Sequence, residues 1–385
     1  MKEKIKAKVK SLMRDLEGIS KFLYDNPELS SQEFKASAYL EDYLEKHGFI
    51  VEGGICELPT AFKAVYDSKI DGPQIAFLCE YDALPKIGHG CGHNLIAVMG
   101  IGGALGLKSV IDEIGGSIVV FGTPAEEICA GKAIMAKKGA FEGVTAAMIV
   151  HPAGVTKESG RTLAINALKF EFFGKTAHAS SCPEKGINAL DAVILSFNNI
   201  NTLRQYIGKD ARIHGIISEG GKAPNVIPDY AEAKFYIREG TKKQLKELSD
   251  KVISCVKAAA FSTGAELKIS NFELGSEDLQ TNSVLSQAFN ENLIALGEVK
   301  IEKADAPSGS SDMGNVSYVV PAIHPMIGMG DENLAGHTVE FAACTQTEKG
   351  KEALFKGACA LAFTGFDIIA CPELKDKIFQ EFMNI

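Results

Sequence analysis

The sequence has no tryptophan, no excess of basic residues and no secretion signal. Its 40 lysine and arginine residues are outnumbered by 49 aspartate and glutamate residues, which gives a formal net charge of −9. Nucleic-acid binders carry a basic face, so this balance argues against that partner. No N-terminal apolar segment with a cleavage site is present, and no apolar run is expected to be long enough to span a bilayer. These absences favour a cytoplasmic protein with neither a nucleic-acid nor a membrane partner.

The nine cysteines show no spacing that indicates a disulfide framework. Their number is odd and most lie in apolar segments, which is typical of reduced cysteines in a cytoplasmic protein. The hydrophobic content of 46% is that of an ordinary globular chain with a large core. At about 100–200 residues per domain, 385 residues predict two domains, and one of them can be inserted into the other.

Three short apolar segments alternate with helical segments in the first part of the chain. Buried strands are predicted at residues 75–79, 118–121 and 146–150. This alternation predicts an α/β fold with a mainly parallel-stranded sheet flanked by helices. Each segment is followed by residues that can bind metal or move protons. Because open α/β sheets hold their sites beyond the carboxyl ends of the strands, the site is expected there.

The pattern changes near residue 166. Strands are predicted at 169–173, 213–218, 231–238 and 266–272, and helices at 188–203 and 245–259. The order β-α-β-β-α-β is that of a ferredoxin-like unit. We therefore predict an inserted lid and dimerisation domain at residues 166–275, within a catalytic domain formed by residues 1–165 and 276–385.

Two local motifs make predictions of their own. Residues 30–33 (Ser-Ser-Gln-Glu) have the form of a capping box and predict a helix that extends to about residue 47. The glycines at positions 100, 102, 103 and 106 suggest a dinucleotide fingerprint, but Leu105 stands where its third glycine is required. Close packing of a helix is the better explanation of these glycines.

Residues 88–94 set a thiol and an imidazole two residues apart among three glycines. Cys91 and His93 are both good ligands for a transition-metal dication. His151 and His337 add two further imidazoles. Each is ambiguous alone, because a lone histidine is more often structural and Cys91 could be a small buried hydrophobe. Together they indicate a metal centre, and hence a hydrolase.

Glu126 and Glu127 follow a predicted buried strand. Such a pair is usually part of a solvated face, but solubility explains carboxylates poorly at a strand end. Adjacent side chains point in different directions, so one carboxylate can bind a metal ion while the other faces a water molecule. A metal ion lowers the pKa of such a water from about 15.7 to about 7, and the free carboxylate can take its proton.

Motifs along nearly the whole chain are shared with a known family. They are Asn-Pro-Glu-Leu-Ser at 26–30, Glu-Tyr-Asp-Ala-Leu-Pro at 80–85, Gly-Cys-Gly-His-Asn at 90–94, Pro-Ala-Glu-Glu at 124–127, Gly-Lys-Thr-Ala-His-Ala at 174–179, Pro-Asn-Val-Ile-Pro at 224–228, Ser-Asp-Met-Gly at 311–314 and Gly-His-Thr at 336–338. In their order and spacing the chain resembles the aminoacylase/carboxypeptidase G family of two-metal peptidases, in its amidohydrolase branch. That branch includes p-aminobenzoyl-glutamate hydrolases, auxin-conjugate hydrolases and aminoacylase-1-like β-alanyl dipeptidases.

The resemblance implies two divalent metal ions per subunit, Mn²⁺ or Zn²⁺, and a set of ligands. Cys91 is implied as a thiolate that bridges the two ions. His93 and His151 are implied to complete the ligands of one ion. Glu127 and His337 are implied to hold the other, although the assignment of each histidine to an ion is less certain than the set.

The resemblance also implies the residues of catalysis and substrate binding. Glu126 is implied as the general base, and Asp82 as the acceptor that orients a ligand imidazole. His178 is implied to reach the active site of the partner subunit and to stabilise the tetrahedral oxyanion. Asn225 and Arg238 are implied to contact the substrate, Arg238 through the carboxylate of the released amino acid. This lid role implies a homodimer that pairs through an edge strand of the inserted domain.

The predicted function is that of a metal-dependent amidohydrolase acting on a small N-acyl or aminoacyl amino acid. A short loop before Cys91 and the presence of Asn94, where many relatives have aspartate, place the chain on the aminoacylase-1-like and aminobenzoyl-glutamate side. One alternative is a dipeptidase of the same family, acting on β-alanyl or similar dipeptides. An inactive metal-binding regulator is disfavoured because Glu126 and every ligand are present. A hydrolase with Cys91 as nucleophile is disfavoured because such a thiolate does not need the surrounding carboxylates and imidazoles.

Overall fold

The computed structural model describes residues 1–307 and 309–384 of the chain. The chain divides into two compact units. The first consists of Met1–Arg161, Leu279–Ala306 and Asp312–Ile385. The second consists of Thr162–Asp278 and Pro307–Ser311. In sequence, the second unit is thus an insertion into the first.

The secondary structure alternates between helices and strands over most of the chain. The helices are α1 (Lys2–Asp25), α2 (Phe34–Lys46), α3 (His93–Ile114), α4 (Glu126–Cys129), α5 (Gly131–Lys137), α6 (Ala189–Leu203), α7 (Lys242–Thr263), α8 (Ser283–Ala295), α9 (Met313–Ser317), α10 (Val339–Cys344), α11 (Glu348–Ala370) and α12 (Pro372–Phe382). The strands are β1 (Ile50–Gly53), β2 (Phe62–Asp67), β3 (Gln74–Cys79), β4 (Ser117–Gly122), β5 (Ala146–Met148), β6 (His151–Ala153), β7 (Ala164–Phe173), β8 (Arg212–Glu219), β9 (Tyr230–Glu239), β10 (Glu266–Asn271), β11 (Ala322–Ile323) and β12 (Met326–Gly328).

The main sheet of the first unit has the strand order β1-β2-β4-β3-β5-β11. The strands β4, β3, β5 and β11 pair in parallel, and β2 and β1 extend the sheet in antiparallel fashion. From their second residue onward β3 and β4 are buried, as expected for strands that are covered on both faces. The predicted α/β fold with a mainly parallel sheet is therefore confirmed, with an antiparallel edge formed by β1 and β2.

The glycines of α3 allow close contact between helices. A Cβ atom added to Gly103 would lie 2.9 Å from Cβ of Leu361 in α11. One added to Gly106 would lie 2.8 Å from Cγ2 of Val9 in α1. Real Cβ atoms do not approach one another so closely in a packed core, so these positions require glycine. Close helix packing, and not a dinucleotide site, explains the glycine pattern.

Two helices, α3 and α11, are long and apolar enough to span a membrane by length and composition. The expectation that no apolar run reaches this length is therefore wrong. In α3, 89% of the apolar window is buried inside the protein, and in α11 67% is buried. A helix that is covered by protein on most sides is apolar around most of its circumference, which accounts for both segments as core helices.

The second unit is a four-stranded antiparallel sheet in the order β10-β7-β9-β8. Its core joins the sheet to α6 and α7 through buried side chains such as Phe172, Val193, Phe235 and Val252. Along β9, buried and half-buried residues alternate strictly, so one face of the sheet packs on the helices. The predicted ferredoxin-like unit is confirmed.

The capping box predicted at residues 30–33 is wrong. The helix α2 begins at Phe34 without a side-chain cap. Ser30 Oγ instead donates a hydrogen bond to Asp82 Oδ2 at 2.7 Å. The buried Glu33 carboxylate accepts from the N–H of Ala125 at 2.9 Å and from Thr60 Oγ1 at 2.8 Å. These distant partners take the groups that a local cap would use, and they tie this segment to the residues around the candidate site.

Candidate active site

A glycine-rich turn places Cys91 and His93 at the start of α3. Gly92 has a φ of 84°, in the left-handed region that favours glycine. A Cβ atom added there would lie 2.4 Å from Cγ of Pro152. Since only glycine satisfies both constraints, the Gly-Cys-Gly-His motif has a structural cause: it brings the thiol and the imidazole close to the segment that carries His151.

His93 is buried and presents one ring nitrogen without a partner. Its Nδ1 lies 2.9 Å from both Oδ1 and the backbone oxygen of Asp82, so Nδ1 carries the proton and donates. Its Nε2 is buried without a hydrogen bond and lies 3.8 Å from Oε1 of Glu127. This tautomer leaves the Nε2 lone pair available, as in a metal ligand oriented by a carboxylate.

Asp82 has more than one partner at the site. Besides the His93 ring, its carboxylate accepts from Ser30 Oγ and from the N–H of Glu127, the latter at 3.0 Å. Burial by itself raises the pKa of Asp82, but the His93 ring and these hydrogen bonds outweigh it and hold the pKa below its ordinary value. The carboxylate therefore stays ionised and couples the orientation of His93 to that of the Glu127 backbone.

His151 faces Cys91 across the site. Its Nε2 lies 3.3 Å from Cys91 Sγ, and its Nδ1 lies 2.7 Å from the backbone oxygen of Pro152. The sequence-based placement of His151 at the end of the third buried strand is wrong. The strand β5 ends at Met148, and His151 begins β6, because residues 151–153 pair with β12 instead of continuing the main sheet.

Glu127 and His337 form the other side of the site. Oε1 of Glu127 lies 3.7 Å from Nε2 of His337 and is buried without a hydrogen bond. The His337 side chain is 58% exposed, and its backbone N–H donates to the oxygen of Gly90 at 2.8 Å. That backbone contact fixes His337 next to the loop that carries Cys91.

Five side chains thus converge in two groups that share Cys91. The groups are Cys91 with His93 and His151, and Cys91 with Glu127 and His337, and within each group the ligand atoms lie within 4.8 Å of one another. Thiolate, imidazole and carboxylate donors suit zinc and other first-row dications. The two buried atoms without a partner, on His93 and Glu127, fit the same use. The donor set therefore fits a pair of divalent ions.

The Cys91 thiol is unsuited to act as a free nucleophile. Burial, together with the carboxylates of Glu127 and Glu126, raises its pKa to about 12 against the opposing effect of His93. A thiol with so high a pKa is almost wholly protonated at neutral pH. Coordination to a metal ion would instead deprotonate it outright. The geometry favours Cys91 as a ligand over Cys91 as a nucleophile.

Glu126 lies between the ligand groups and a second set of acidic residues. It follows Ala125, whose φ of 60° is unusual for a residue other than glycine and is held by the hydrogen bond from its N–H to Glu33. Burial and the carboxylates of Glu80 and Asp312 raise the pKa of Glu126 well above its ordinary value. A carboxylate in such surroundings binds a proton readily, as a general base must.

Three charged residues of this neighbourhood escaped the sequence-based prediction. Glu80, Lys132 and Asp312 are buried, and Lys132 Nζ lies 2.6 Å from Glu80 Oε1 and 2.5 Å from Asp312 Oδ1. Their signal in the sequence is weak: Glu80 and Asp312 lie in the shared motifs, and Lys132 is a lone charge in an apolar segment. His324, expected to be structural, lies with its ring centre 5.6 Å from that of His151 and has a buried Nε2 without a hydrogen bond.

The other predicted site residues, His178, Asn225 and Arg238, belong to the second unit. His178 is exposed, and its Nδ1 accepts from the N–H groups of Ser180 and Ser181 at 3.4 and 3.3 Å. A neutral ring with an accepting Nδ1 carries its proton on Nε2, so Nε2 is a hydrogen-bond donor.

Asn225 lies beside His178, since the N–H of Ala179 donates to the Asn225 backbone oxygen at 3.0 Å. Arg238 lies on β9, on the sheet face opposite the helices. It is half-buried, and its Nη1 donates to Ser310 Oγ at 2.8 Å. Burial lowers the pKa of Arg238 relative to its ordinary value. An arginine in this position keeps its charge and has further N–H donors to offer a carboxylate.

Comparison with known proteins identifies the family. A family model described as the peptidase dimerisation domain of M20 matches residues 164–263. The Xaa-Arg dipeptidase of Mus musculus is 35% identical over 397 aligned positions, which cover 99% of this chain and 92% of that protein. The chain belongs to the M20 peptidase family. The predicted family is thereby confirmed, and this M20 protein is a hydrolase that acts on amide or peptide bonds.

Other M20 relatives agree with this assignment. A p-aminobenzoyl-glutamate hydrolase of Escherichia coli is 32% identical over 296 positions, covering 71% of this chain and 61% of that protein. A solved dinuclear metal-binding peptidase of the M20 family from Bacillus subtilis has the same fold, with a TM-score of 0.64 and 20% identity, covering 92% of this chain and 99% of that one. These relatives are enzymes, so the alternative of an inactive regulator is not supported.

Proposed function

We propose that this M20 enzyme is a metal-dependent dipeptidase or N-acyl amino acid hydrolase with two divalent ions, Mn²⁺ or Zn²⁺, at its active site. The observation that carries the proposal is the pair of ligand groups that share Cys91, with Glu126 beside them. Dipeptides are the preferred substrate class, because similarity to the Xaa-Arg dipeptidase extends over more of the chain than similarity to the aminobenzoyl-glutamate hydrolase. Aminobenzoyl-glutamate and related amides are the second candidates.

The residues divide the work of hydrolysis between them. Bound divalent ions would supply Lewis acidity, which polarises the scissile carbonyl and lowers the pKa of water. His93 and His151 hold one ion with Cys91, and Glu127 and His337 hold the other. Glu126 takes a proton from the attacking water and returns it to the departing amine.

The second unit contributes the lid, and the enzyme acts as a homodimer. His178 of the partner subunit donates from Nε2 to the developing oxyanion, which its accepting Nδ1 supports. Asn225 lies beside it and contacts the substrate. Arg238 binds the carboxylate of the released amino acid.

The edge strand β8 forms the dimer contact. It ends the strand order of the sheet in the described part of the chain. Two of its apolar side chains, Ile216 and Ile217, are 63% and 45% exposed. An exposed apolar edge strand is a template for pairing with another chain, and a two-fold axis pairs it with its own copy. The match to the dimerisation model over residues 164–263 includes this strand.

The proposed compartment is the cytoplasm. The cysteines whose side chains the structure describes are free, and several of them are partly exposed. Partly exposed thiols and a thiolate ligand persist most readily in a reducing compartment. This placement is consistent with the scattered cysteine spacing of the sequence.

Removal of metal tests the proposed function directly. Prolonged dialysis of the protein against EDTA is expected to abolish hydrolysis of dipeptides, because the ligand groups then lose the ions that polarise the carbonyl. Addition of Mn²⁺ or Zn²⁺ is expected to restore it. Assays of Xaa-Arg and β-alanyl-lysine dipeptides, aminobenzoyl-glutamate and acetyl amino acids would rank the substrate classes. Full activity in the metal-free protein would exclude the proposed centre.

Replacement of Asp82 with asparagine is expected to weaken metal binding by about 10- to 100-fold. The asparagine amide removes the negative charge that orients His93 and holds the Glu127 backbone. The measurement is a competition titration of the bound ions with a chelator. Ser30→Ala is the matched control, because it removes one hydrogen bond to Asp82 and leaves the His93 contact in place. Equal affinities in both variants would contradict the role of Asp82.

A further inference from the structure

A fully buried lysine lies beside the proposed general base. Lys132 has no exposed surface, and its Nζ forms ion pairs with Glu80 at 2.6 Å and Asp312 at 2.5 Å. Its backbone N–H also donates to Oδ2 of Asp312 at 2.8 Å. Burial lowers the pKa of Lys132, but Asp312 and Glu80 outweigh this effect and keep the ammonium charged. The residue is therefore a fixed cation in the interior of the first unit.

The local chain geometry explains how Lys132 reaches this position. It is the second residue of α5, directly after Gly131. A Cβ atom on Gly131 would lie 2.0 Å from the backbone oxygen of Pro124. Glycine therefore lets the start of α5 pack against the segment that carries Glu126. Lys132 has no other direction in which to place a charge except among the acidic residues next to that segment.

Three carboxylates converge around this cation in the manner of a metal site. Oxygen atoms of Glu80, Glu126 and Asp312 lie within 4.8 Å of one another, a spacing that could hold a metal ion. A set of three carboxylates is a typical donor set for hard divalent cations, Mn²⁺ among them. The ammonium of Lys132 is paired with two members of the set, and Glu126 is the third.

We propose that Lys132 is a positioning residue whose ammonium occupies the cation position among these carboxylates and keeps Glu126 from becoming a ligand of an additional metal ion. This inference rests on the proposed function, in which Glu126 must stay free to exchange a proton with water. A carboxylate that coordinates an ion has committed the electron pair that would accept the proton. An enzyme that needs divalent ions at one group of residues must exclude them from the acidic group beside it.

Lysine is suited to this task because its charge cannot leave the site as a bound ion can. Three buried carboxylates without a compensating cation would be strongly unfavourable, and they would recruit any available dication. Lys132 acts through Glu80 and Asp312, which it holds directly, and Glu126 is kept in place by the same cluster.

The test is the variant Lys132→Met, which keeps an unbranched side chain of similar length and removes the charge. After equilibration of the full-length protein with Mn²⁺ and removal of loosely bound ion, elemental analysis is expected to find up to one more ion per subunit than in the wild type. With an Xaa-Arg dipeptide, kcat is expected to fall by about 100-fold, the contribution of a general base, with KM nearly unchanged. Lys137→Met, an exposed lysine of the same helix, is the matched control and is expected to change neither quantity.

The double variant Lys132→Met/Asp312→Asn separates this role from a structural one. It removes one carboxylate together with the ammonium, so it is expected to bind no additional ion and to recover roughly 10-fold in kcat over Lys132→Met. If Lys132→Met does not fold, the double variant compared with Asp312→Asn alone asks the same question, since only the latter leaves an unmatched charge.

Two results would overturn the inference. One is a Lys132→Met enzyme with the wild-type ion content and the wild-type kcat. The other is a loss of kcat without an additional ion and without recovery in the double variant, which would show that Lys132 only supports the fold. If the wild type hydrolyses none of the amides, the proposed function fails, and the ion content of the variants still decides the role of Lys132.

Discussion

Replacement of Glu126 with glutamine is expected to lower kcat by about 10²- to 10⁴-fold while the protein keeps its metal. Glutamine has the size and the oxygen acceptor of glutamate, but it cannot take a proton from water at neutral pH. Neither of the two ligand groups that share Cys91 requires Glu126. The loss should therefore appear in kcat, with KM and the ion content close to those of the wild type.

The neighbouring residue supplies the control for this experiment. Glu127→Gln removes a charged ligand-type oxygen that is buried without a hydrogen bond, so it is expected to lower metal affinity as well as activity. Steady-state kinetics together with elemental analysis of both variants would separate the two carboxylates. A Glu126→Gln enzyme that keeps its ions and hydrolyses dipeptides at the wild-type rate would show that Glu126 is not the base.

The residues that the sequence predicted best are those in short motifs at the ends of buried strands. Parallel strands bring their carboxyl ends to one edge of the sheet, so the segment after β3 and the Glu-Glu pair after β4 could be expected to meet. Cys91 and His93 were predictable because the glycines around them restrict the turn. The structure places both in the same cluster as Glu127. Local sequence and strand order were enough to predict that these residues meet.

The residues that the sequence did not predict depend on contacts between distant segments. Lys132 lies 52 residues from Glu80 and 180 from Asp312 in the chain, and a lone lysine in an apolar segment gives no hint of its partners. The failed capping box at residues 30–33 has the same cause. Glu33 is used by Ala125, which is 92 residues away, and not by the start of its own helix.

Burial also changed what the apolar segments mean. The helix α3 passes a test for membrane-spanning length because nearly every side is covered by protein, including α1, α11 and the sheet. Hydropathy alone cannot distinguish burial in protein from burial in lipid. The close contacts of Gly103 and Gly106 with neighbouring helices carry that information, and they become visible only in the folded chain.

The role of His178 leads to a prediction that distinguishes action within a subunit from action across the dimer. His178→Ala is expected to lower kcat by about 10²- to 10³-fold, the usual cost of losing one oxyanion donor. The Glu126→Gln enzyme is also nearly inactive. In a mixed dimer of these two variants, however, one site would have its own Glu126 and the partner's intact His178.

Mixing the two variants, by co-expression with different affinity tags, is therefore expected to restore activity. Random pairing gives half mixed dimers with one functional site each, so about a quarter of the wild-type activity should return. The control mixes His178→Ala with the double variant Glu126→Gln/His178→Ala, which offers no intact lid and should remain inactive. If His178 served its own subunit, neither mixture would recover, because no chain would carry both Glu126 and His178. Recovery in the first mixture alone would thus place the oxyanion donor of each site on the opposite subunit and make the dimer a requirement of catalysis.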